Sequence, residues 1–265
     1  MARKLGFILF LALTVSACTR QSADTTDLER YQLAGNVLCV SVDMGEGRSY
    51  TAWFDRRGML DSLVQENPSE VLSNVYTYDS RGRLAELAIY RPDRHYEGYY
   101  LYEYEGDIMS RQTLFGWDLQ AIFDWRFDIE DGRQTRCRHY NEGALVSTTE
   151  YVYGPSSKME KVYDSNGEPC GEITYRFAEG FRIKSIESED VHIDIEYDRD
   201  LLPARSTGGE VEPDSEITTS SKSRTYGTIE YRYIKDDLGN WTVREESYPS
   251  CGISGRTITR TITYR

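Results

Sequence analysis

The chain has 265 residues and a formal net charge of −13 at pH 7, a balance that opposes nucleic acid and anionic lipid as partners. Apolar residues make up 39%, and tyrosine, with 21 copies, is the outlier. Strands favour aromatic and β-branched side chains, so this bias points to sheet. The length suits one large all-β domain or two small ones, and outside the N-terminus no apolar run approaches the roughly 18 residues of a membrane-spanning helix.

Residues 1–17, MARKLGFILFLALTVSA, have the layout of a secretory signal. Arg3 and Lys4 precede an apolar stretch over residues 5–15, and the small residues Ser16 and Ala17 follow. Val-Ser-Ala-Cys resembles a bacterial lipobox. The resemblance implies that Cys18 becomes the lipidated first residue of the mature chain and holds it on a membrane surface. The alternative is ordinary secretory cleavage, with Cys18 incidental. Residues 18–31 are polar and aperiodic and read as a flexible tether. Removing the signal takes away two positive charges and no negative ones, so the mature charge moves from −13 to −15. Cys39, Cys137, Cys170 and Cys251 remain, none in a Cys-x-x-Cys pair, which argues against a zinc or redox site. Their pairing is open, and buried free thiols fit equally well. If the ends of the sheet meet, Cys39 and Cys251 come close.

From residue 32 onward an aromatic residue followed by a turn recurs. Phe54-Asp55 leads to Gly58, Tyr78-Asp79 to Gly82, and Phe127-Asp128 to Gly132. Weaker copies start at Tyr104, Tyr153, Phe177 and Tyr197, and the last joins Tyr233 to Gly239. Steps between aromatics are 24, 26, 23, 26, 24 and 20 residues up to Tyr197, then 36. The excess lies in residues 203–225, a polar insertion without periodicity. A second set of turn signals falls halfway between these, as at Gly45-Glu46-Gly47 and Asn141-Glu142-Gly143. Two turns per period make a β-hairpin repeat of some sixteen to eighteen strands. In VHIDIEY, residues 191–197, the apolar side chains alternate with His192, Asp194 and Glu196, which marks an antiparallel sheet wetted on one face. Long amphipathic helices are absent, although residues 68–74 allow one helical turn. The expected fold is a single all-β domain over residues 32–265. It is an antiparallel up-and-down meander, curled or barrel-like, with its Tyr/Ile/Val face inside.

The Asp-x-x-Gly spacing has a turn explanation. Type I turns favour Asp first and Gly fourth, and the Asp carboxylate accepts a backbone N–H two residues on. The Gly takes positive φ and starts the returning strand with a bulge. Asp55, Gly58, Asp79, Gly82, Asp128, Gly132 and Gly239 are therefore assigned to turns.

The run Tyr76-Thr77-Tyr78-Asp79-Ser80-Arg81-Gly82-Arg83-Leu84 resembles the YD repeat of rearrangement-hotspot proteins, teneurins and bacterial wall-associated proteins. Residues 235–241, KDDLGNW, are similar to a Gly-Asn-Trp variant seen in lipoproteins of Bacteroides and its relatives. The resemblance covers most of residues 50–248. It implies hairpins that spiral into a shell, and it carries no catalytic residues.

No site chemistry stands out. His95, His139 and His192 lack metal-ligand spacing. The turns at residues 164–167 and 236–240 lack the oxygen set of a calcium loop. There is no Gly-x-Ser-x-Gly elbow and no phosphate loop. No catalytic residue, metal or cofactor is expected. The usable binding feature is aromatic: Trp117, Trp125, Tyr100 and Tyr102 as an exposed surface that stacks on a glycan or anchors a protein. The expected function is a non-enzymatic lipoprotein of the bacterial cell envelope, at the outer membrane, with a binding or scaffold role. Alternatives are an assembly protein acting through sheet edges, and a hydrolase with residues 203–225 as a lid.

Overall fold

Asp79 shows how the turns form in the structure, a computed structural model that describes residues 26–91, 96–178, 182–189, 191–208, 227–250 and 253–265. The N–H of Gly82 donates to the Asp79 carbonyl at 3.0 Å, and the N–H of Asp79 to the Arg83 carbonyl at 2.9 Å. One Asp79 carboxylate oxygen accepts the N–H groups of Arg81 and Arg83 at 2.8 and 3.0 Å. Gly82 sits at φ +78°, where a Cβ is costly. Asp55 with Gly58, Asp164 with Gly167 and Asp236 with Gly239 repeat the pattern. Asp128 does not. It lies inside a strand and pairs with Arg138, and the turn beyond it is closed by Asp131 and Gly132 at φ 49° and 72°. Two consecutive left-handed residues make a tight hairpin without an Asp clasp.

A short helix α1 (Asp27–Arg30) precedes the strands β1 (Val37–Gly45), β2 (Arg48–Phe54), β3 (Leu60–Asn67), β4 (Glu70–Tyr78), β5 (Leu84–Tyr90) and β6 (Tyr96–Glu105). Then come β7 (Ile108–Gly116), β8 (Ala121–Glu130), β9 (Arg133–Asn141), β10 (Ala144–Tyr153), β11 (Ser157–Asp164) and β12 (Pro169–Phe177). The last are β13 (Ile183–Glu187), β14 (His192–Tyr197), β15 (Pro203–Thr207), β16 (Thr228–Lys235), β17 (Trp241–Tyr248) and β18 (Ile253–Tyr264). Each strand pairs antiparallel with its neighbours in the chain, and β1 also pairs with β18, so the 18 strands form one closed barrel. Closure leaves no edge strand to pair with another chain, which removes the assembly reading based on sheet edges.

Three boundaries differ from the sequence expectation. Residues 68–74 make no helical turn: 68–69 form the turn between β3 and β4, and 70–74 lie in β4, where Val71 pairs across to β3. The insertion does not begin at 203, since residues 203–207 form β15 between β14 and β16. The rest of it, from 209, lies outside the described residues. The tether is shorter than expected, because residues 26–31 are packed. Thr26 and Glu29 form a reciprocal cap on α1, and the Asp27 carboxylate accepts the Leu60 N–H at 2.8 Å and the Tyr78 hydroxyl at 2.7 Å.

Strand pairing carries one face around the whole ring. Val40, Ala52, Leu63 and Asn74 stand opposite one another across successive strands and point inward. Tyr100, Leu114, Phe123, Tyr175, Ile186, Ile193, Tyr231 and Ile258 belong to the same face. The outward face carries Ser41, Thr51, Arg138, Glu150, Asp194, Glu230 and the Thr257, Thr259, Thr261 and Thr263 row. Cross-strand ion pairs lie on it, such as Arg176 with Glu187 and Arg205 with Glu230. Exposed pairs contribute about 0–1 kcal/mol each, so their main effect is on register and solubility. A barrel that spans a bilayer is apolar outside and polar inside. Here the outer face carries rows of Thr and charged side chains among apolar ones, and the inner face mixes two apolar clusters with buried ion pairs.

Eighteen strands about 4.8 Å apart, tilted by about 40°, would form a circle with a backbone radius of about 17–18 Å. The inner side chains fill such a ring unevenly. One buried cluster joins β1, β2, β3, β17 and β18 with Leu33 and Leu202, and a second joins β12, β13, β14, β16 and β17. Residues 26–36 strap the first cluster at the end where the Asp turns lie. The Asn240 side chain binds both backbone groups of Ala34, accepting its N–H at 2.6 Å and donating to its carbonyl at 3.0 Å. The neighbouring Trp241 lies under the Arg260 guanidinium, 3.8 Å from the ring centroid. The Gly-Asn-Trp ending thus docks the N-terminal strap beside the β1–β18 seam.

Candidate functional site: the barrel lumen

The inner face of β6 to β9 carries a continuous aromatic wall. Trp125 on β8 stands opposite Gln112 on β7 and His139 on β9, and Gln112 stands opposite Tyr102 on β6. One step along, Tyr100, Leu114 and Phe123 form a parallel row. Ring centroids lie 6.4 Å apart for Tyr100 and Tyr102, 6.3 Å for Tyr100 and Trp125, and 5.7 Å for Phe123 and Trp125. The His139 imidazole stacks on Trp125 at 4.9 Å with planes 2° apart. Burial lowers the His139 pKa, so the ring is neutral at pH 7. Its Nε2 has no hydrogen-bond partner among the described residues. The wall residues are only half-buried, whereas Ile186, Ile193 and Ile229 on the other arc are at most 2% exposed. The wall therefore faces lumen space, while the other arc is packed.

Three of the four aromatics expected at a binding surface thus lie together, inside the barrel. Trp117 is not with them. It sits at the tip of the turn between β7 and β8 and is 77% exposed. Tyr99 faces outward and stacks on Phe115 at 4.8 Å. Tyr104 is tied to its own hairpin, donating to the Leu84 carbonyl at 2.8 Å. Phe123 and His139 were missed by sequence reasoning. Phe123 is two residues from Trp125 and so shares its face. His139 follows from folding the β8–β9 hairpin about Asp131-Gly132, which sets it opposite Trp125. His192 is on the outer face, 2.7 Å from Asp194. His95 and Cys18 lie outside the described residues.

Further round, the lumen holds charges in pairs. Lys158 and Glu160 are 2.7 Å apart and nearly buried, with the Lys158 ammonium over the Tyr151 ring. The Glu246 carboxylate takes Arg244, Arg256 and the Tyr248 hydroxyl. Cys39, Cys137 and Cys170 are free thiols. Burial pushes the Cys137 thiol up to about 12, which leaves it unreactive at neutral pH. Cys251 lies outside the described residues. Among the described residues, no group of three or more His, Cys, Asp and Glu side chains converges as a metal site would require.

Just inside the end that carries the Asp turns, a cavity of about 630 Å³ is lined by Asp198, Arg199, Asp200, Ala204, Tyr231, Tyr233 and Lys235. Lys235 pairs with Asp200 across its rim.

No family model matches the chain, and no curated protein matches it. Among solved structures, a porin-like protein from Bacteroides uniformis ATCC 8492 aligns over 86% of this chain and 96% of its own, at 10% identity and a TM-score of 0.39. A porin-like protein from Bacteroides vulgatus ATCC 8482 aligns over 88% of this chain and 99% of its own, at 13% identity and a TM-score of 0.31. A protein of unknown function from Bacteroides fragilis NCTC 9343 aligns over 44% of this chain and 91% of its own, at 13% identity and a TM-score of 0.22. At such scores the likeness says nothing about a ligand.

Proposed function

We propose that this chain is a non-enzymatic binding lipoprotein of the bacterial cell envelope, a YD-type hairpin barrel tethered through Cys18, that holds a glycan segment or similar ligand in its lumen. The observation that carries this reading is the orientation of the two faces. The polar face is turned to water around the ring, and the aromatic wall of Tyr100, Tyr102, Phe123, Trp125 and His139 is left half-covered inside. Aromatic rings with centroids 4.9–6.4 Å apart line the lumen with an apolar surface that a sugar ring or another planar group can pack against. The secretory layout of residues 1–17 and the small-small-Cys sequence support the tether.

Tryptophan fluorescence of the purified protein, titrated with a panel of oligosaccharides and planar aromatic compounds, tests the binding role. A bound member of the panel should lose at least tenfold in affinity in Trp125→Ala, about 1.4 kcal/mol, with the melting curve retained. Unchanged affinity, or recovery of a chemically altered ligand, would sink the reading. The tether has its own test. Cys18→Ala should move most of the protein from the membrane fraction to the soluble fraction, and an unchanged membrane fraction would reject lipidation.

A further inference from the structure

The cavity at the mouth has a chemistry of its own, independent of the aromatic wall. Asp198 opens the turn between β14 and β15. One of its carboxylate oxygens accepts the N–H groups of Asp200 and Leu202 at 2.8 and 2.9 Å. These two bonds fix the carboxylate in place and satisfy that oxygen only. Among the described residues, no cation pairs with the other. The two basic side chains nearby are committed elsewhere. Lys235 is held by Asp200, and the Arg199 side chain is 94% exposed and reaches outward to Asp200 at 3.9 Å.

The remaining lining is aromatic and small. Tyr231 forms the floor, with its hydroxyl 2.8 Å from Ser206 and Arg244 over its ring. Ala204 leaves room beside it. Tyr233 also lines the space. Burial raises the pKa of the Tyr233 phenol, and the Asp198 charge adds to the rise, as expected of a tyrosine close to that carboxylate. The volume, about 630 Å³, falls within the range of roughly 300–1,000 Å³ that holds small ligands.

We infer that this cavity binds the protonated amine of a small organic molecule, with Asp198 as the counter-charge and Tyr233 as an aromatic face beside it. An anionic ligand would be repelled by the Asp198 carboxylate, which no cation among the described residues offsets. A neutral one would bury that carboxylate without a counter-ion, at a cost in free energy. An ammonium gains from the carboxylate and from the negative face of the ring. The net charge of −13 also draws cations toward the protein.

Titration calorimetry of the purified protein with 1,5-diaminopentane and with 1,5-pentanediol decides the matter, because the two probes share length and shape and differ in charge. The diamine should bind at least tenfold more tightly than the diol. Asp198→Asn keeps the oxygen that holds the turn and removes the charge, so it should lose at least tenfold in diamine affinity while keeping its melting temperature. Trp125→Ala should leave diamine binding unchanged, which separates this site from the aromatic wall. Equal binding of diamine and diol overturns the inference. So does diamine binding that survives in Asp198→Asn, since the signal then comes from general surface charge. If the Asn variant does not fold, Ala204→Leu, which fills the cavity and leaves every charge in place, should lose the same tenfold, and unchanged diamine binding in it overturns the inference.

Discussion

Glu246→Gln is expected to lower stability by about 3–5 kcal/mol, because it leaves buried guanidinium groups without their counter-charge. The Glu246 side chain is 0% exposed, Arg244 2% and Arg256 20%. Its two oxygens take Arg244 Nε at 2.9 Å, Arg256 Nε at 3.0 Å and Nη2 at 3.1 Å, and the Tyr248 hydroxyl at 2.8 Å. The amide of Gln cannot accept all of these or offset two positive charges. Burial works to raise the Glu246 pKa, but Arg244 and Arg256 outweigh it and hold the carboxyl below its usual 4.5. A carboxylate whose folded pKa is depressed stabilises the fold fully above its unfolded pKa. That contribution is lost as the pH falls through the folded value. The gap between parent and variant should therefore be full at pH 7 and shrink in acid below 4.5. Denaturant midpoints at unchanged slope, taken at pH 7 and pH 3.5, measure it. A loss under 1 kcal/mol at pH 7 would mean that the network contributes nothing net.

The second large effect is expected at the strap. Asp27 is 6% exposed, and its carboxylate satisfies the Leu60 N–H, the Tyr78 hydroxyl and Arg30. Asp27→Ala strands a buried amide, each such group costing about 1–3 kcal/mol, and weakens the Tyr78 contact as well. A total of about 2–4 kcal/mol is expected. The effect should be local first, because α1 has four residues and does not hold itself together without tertiary contacts. Hydrogen exchange at the Leu60 and Ala34 amides should speed up at least tenfold while the β6–β9 amides keep their protection. Exchange that stays slow at both positions would show that Asn240 alone holds the strap.

How much the sequence revealed differs from residue to residue. The turns at Asp55, Asp79 and Asp236 were legible because their chemistry is local: one carboxylate, two backbone N–H groups and a glycine within five residues. Asp128 misled for the same reason. Its position after Phe127 fits the repeat, yet the chain folds at Asp131-Gly132, where two left-handed residues make a tighter turn. Residues 203–207 were hidden because their inward positions hold Ala204 and Ser206, too small or too polar to mark an apolar face. The strand exists because β14 and β16 each leave it a free backbone edge. The Asn240 clamp joins residues 206 positions apart, and nothing local points to its partner.

By itself the sequence determined the element type, the hairpin order and the division of each strand into an apolar and a polar face, since period two and turn chemistry act over a few residues. Tertiary structure decided two things: that β1 meets β18, and that Tyr100, Tyr102 and Trp125 belong to the lumen while Trp117 stands at its rim. The physical reason is that alternation puts an apolar face inside but does not say whether the two ends of the sheet meet, or which aromatics face the open part of the lumen. The direction of curl and the closing register are set by pairing between opposite ends of the chain, where the twist of all eighteen strands has accumulated.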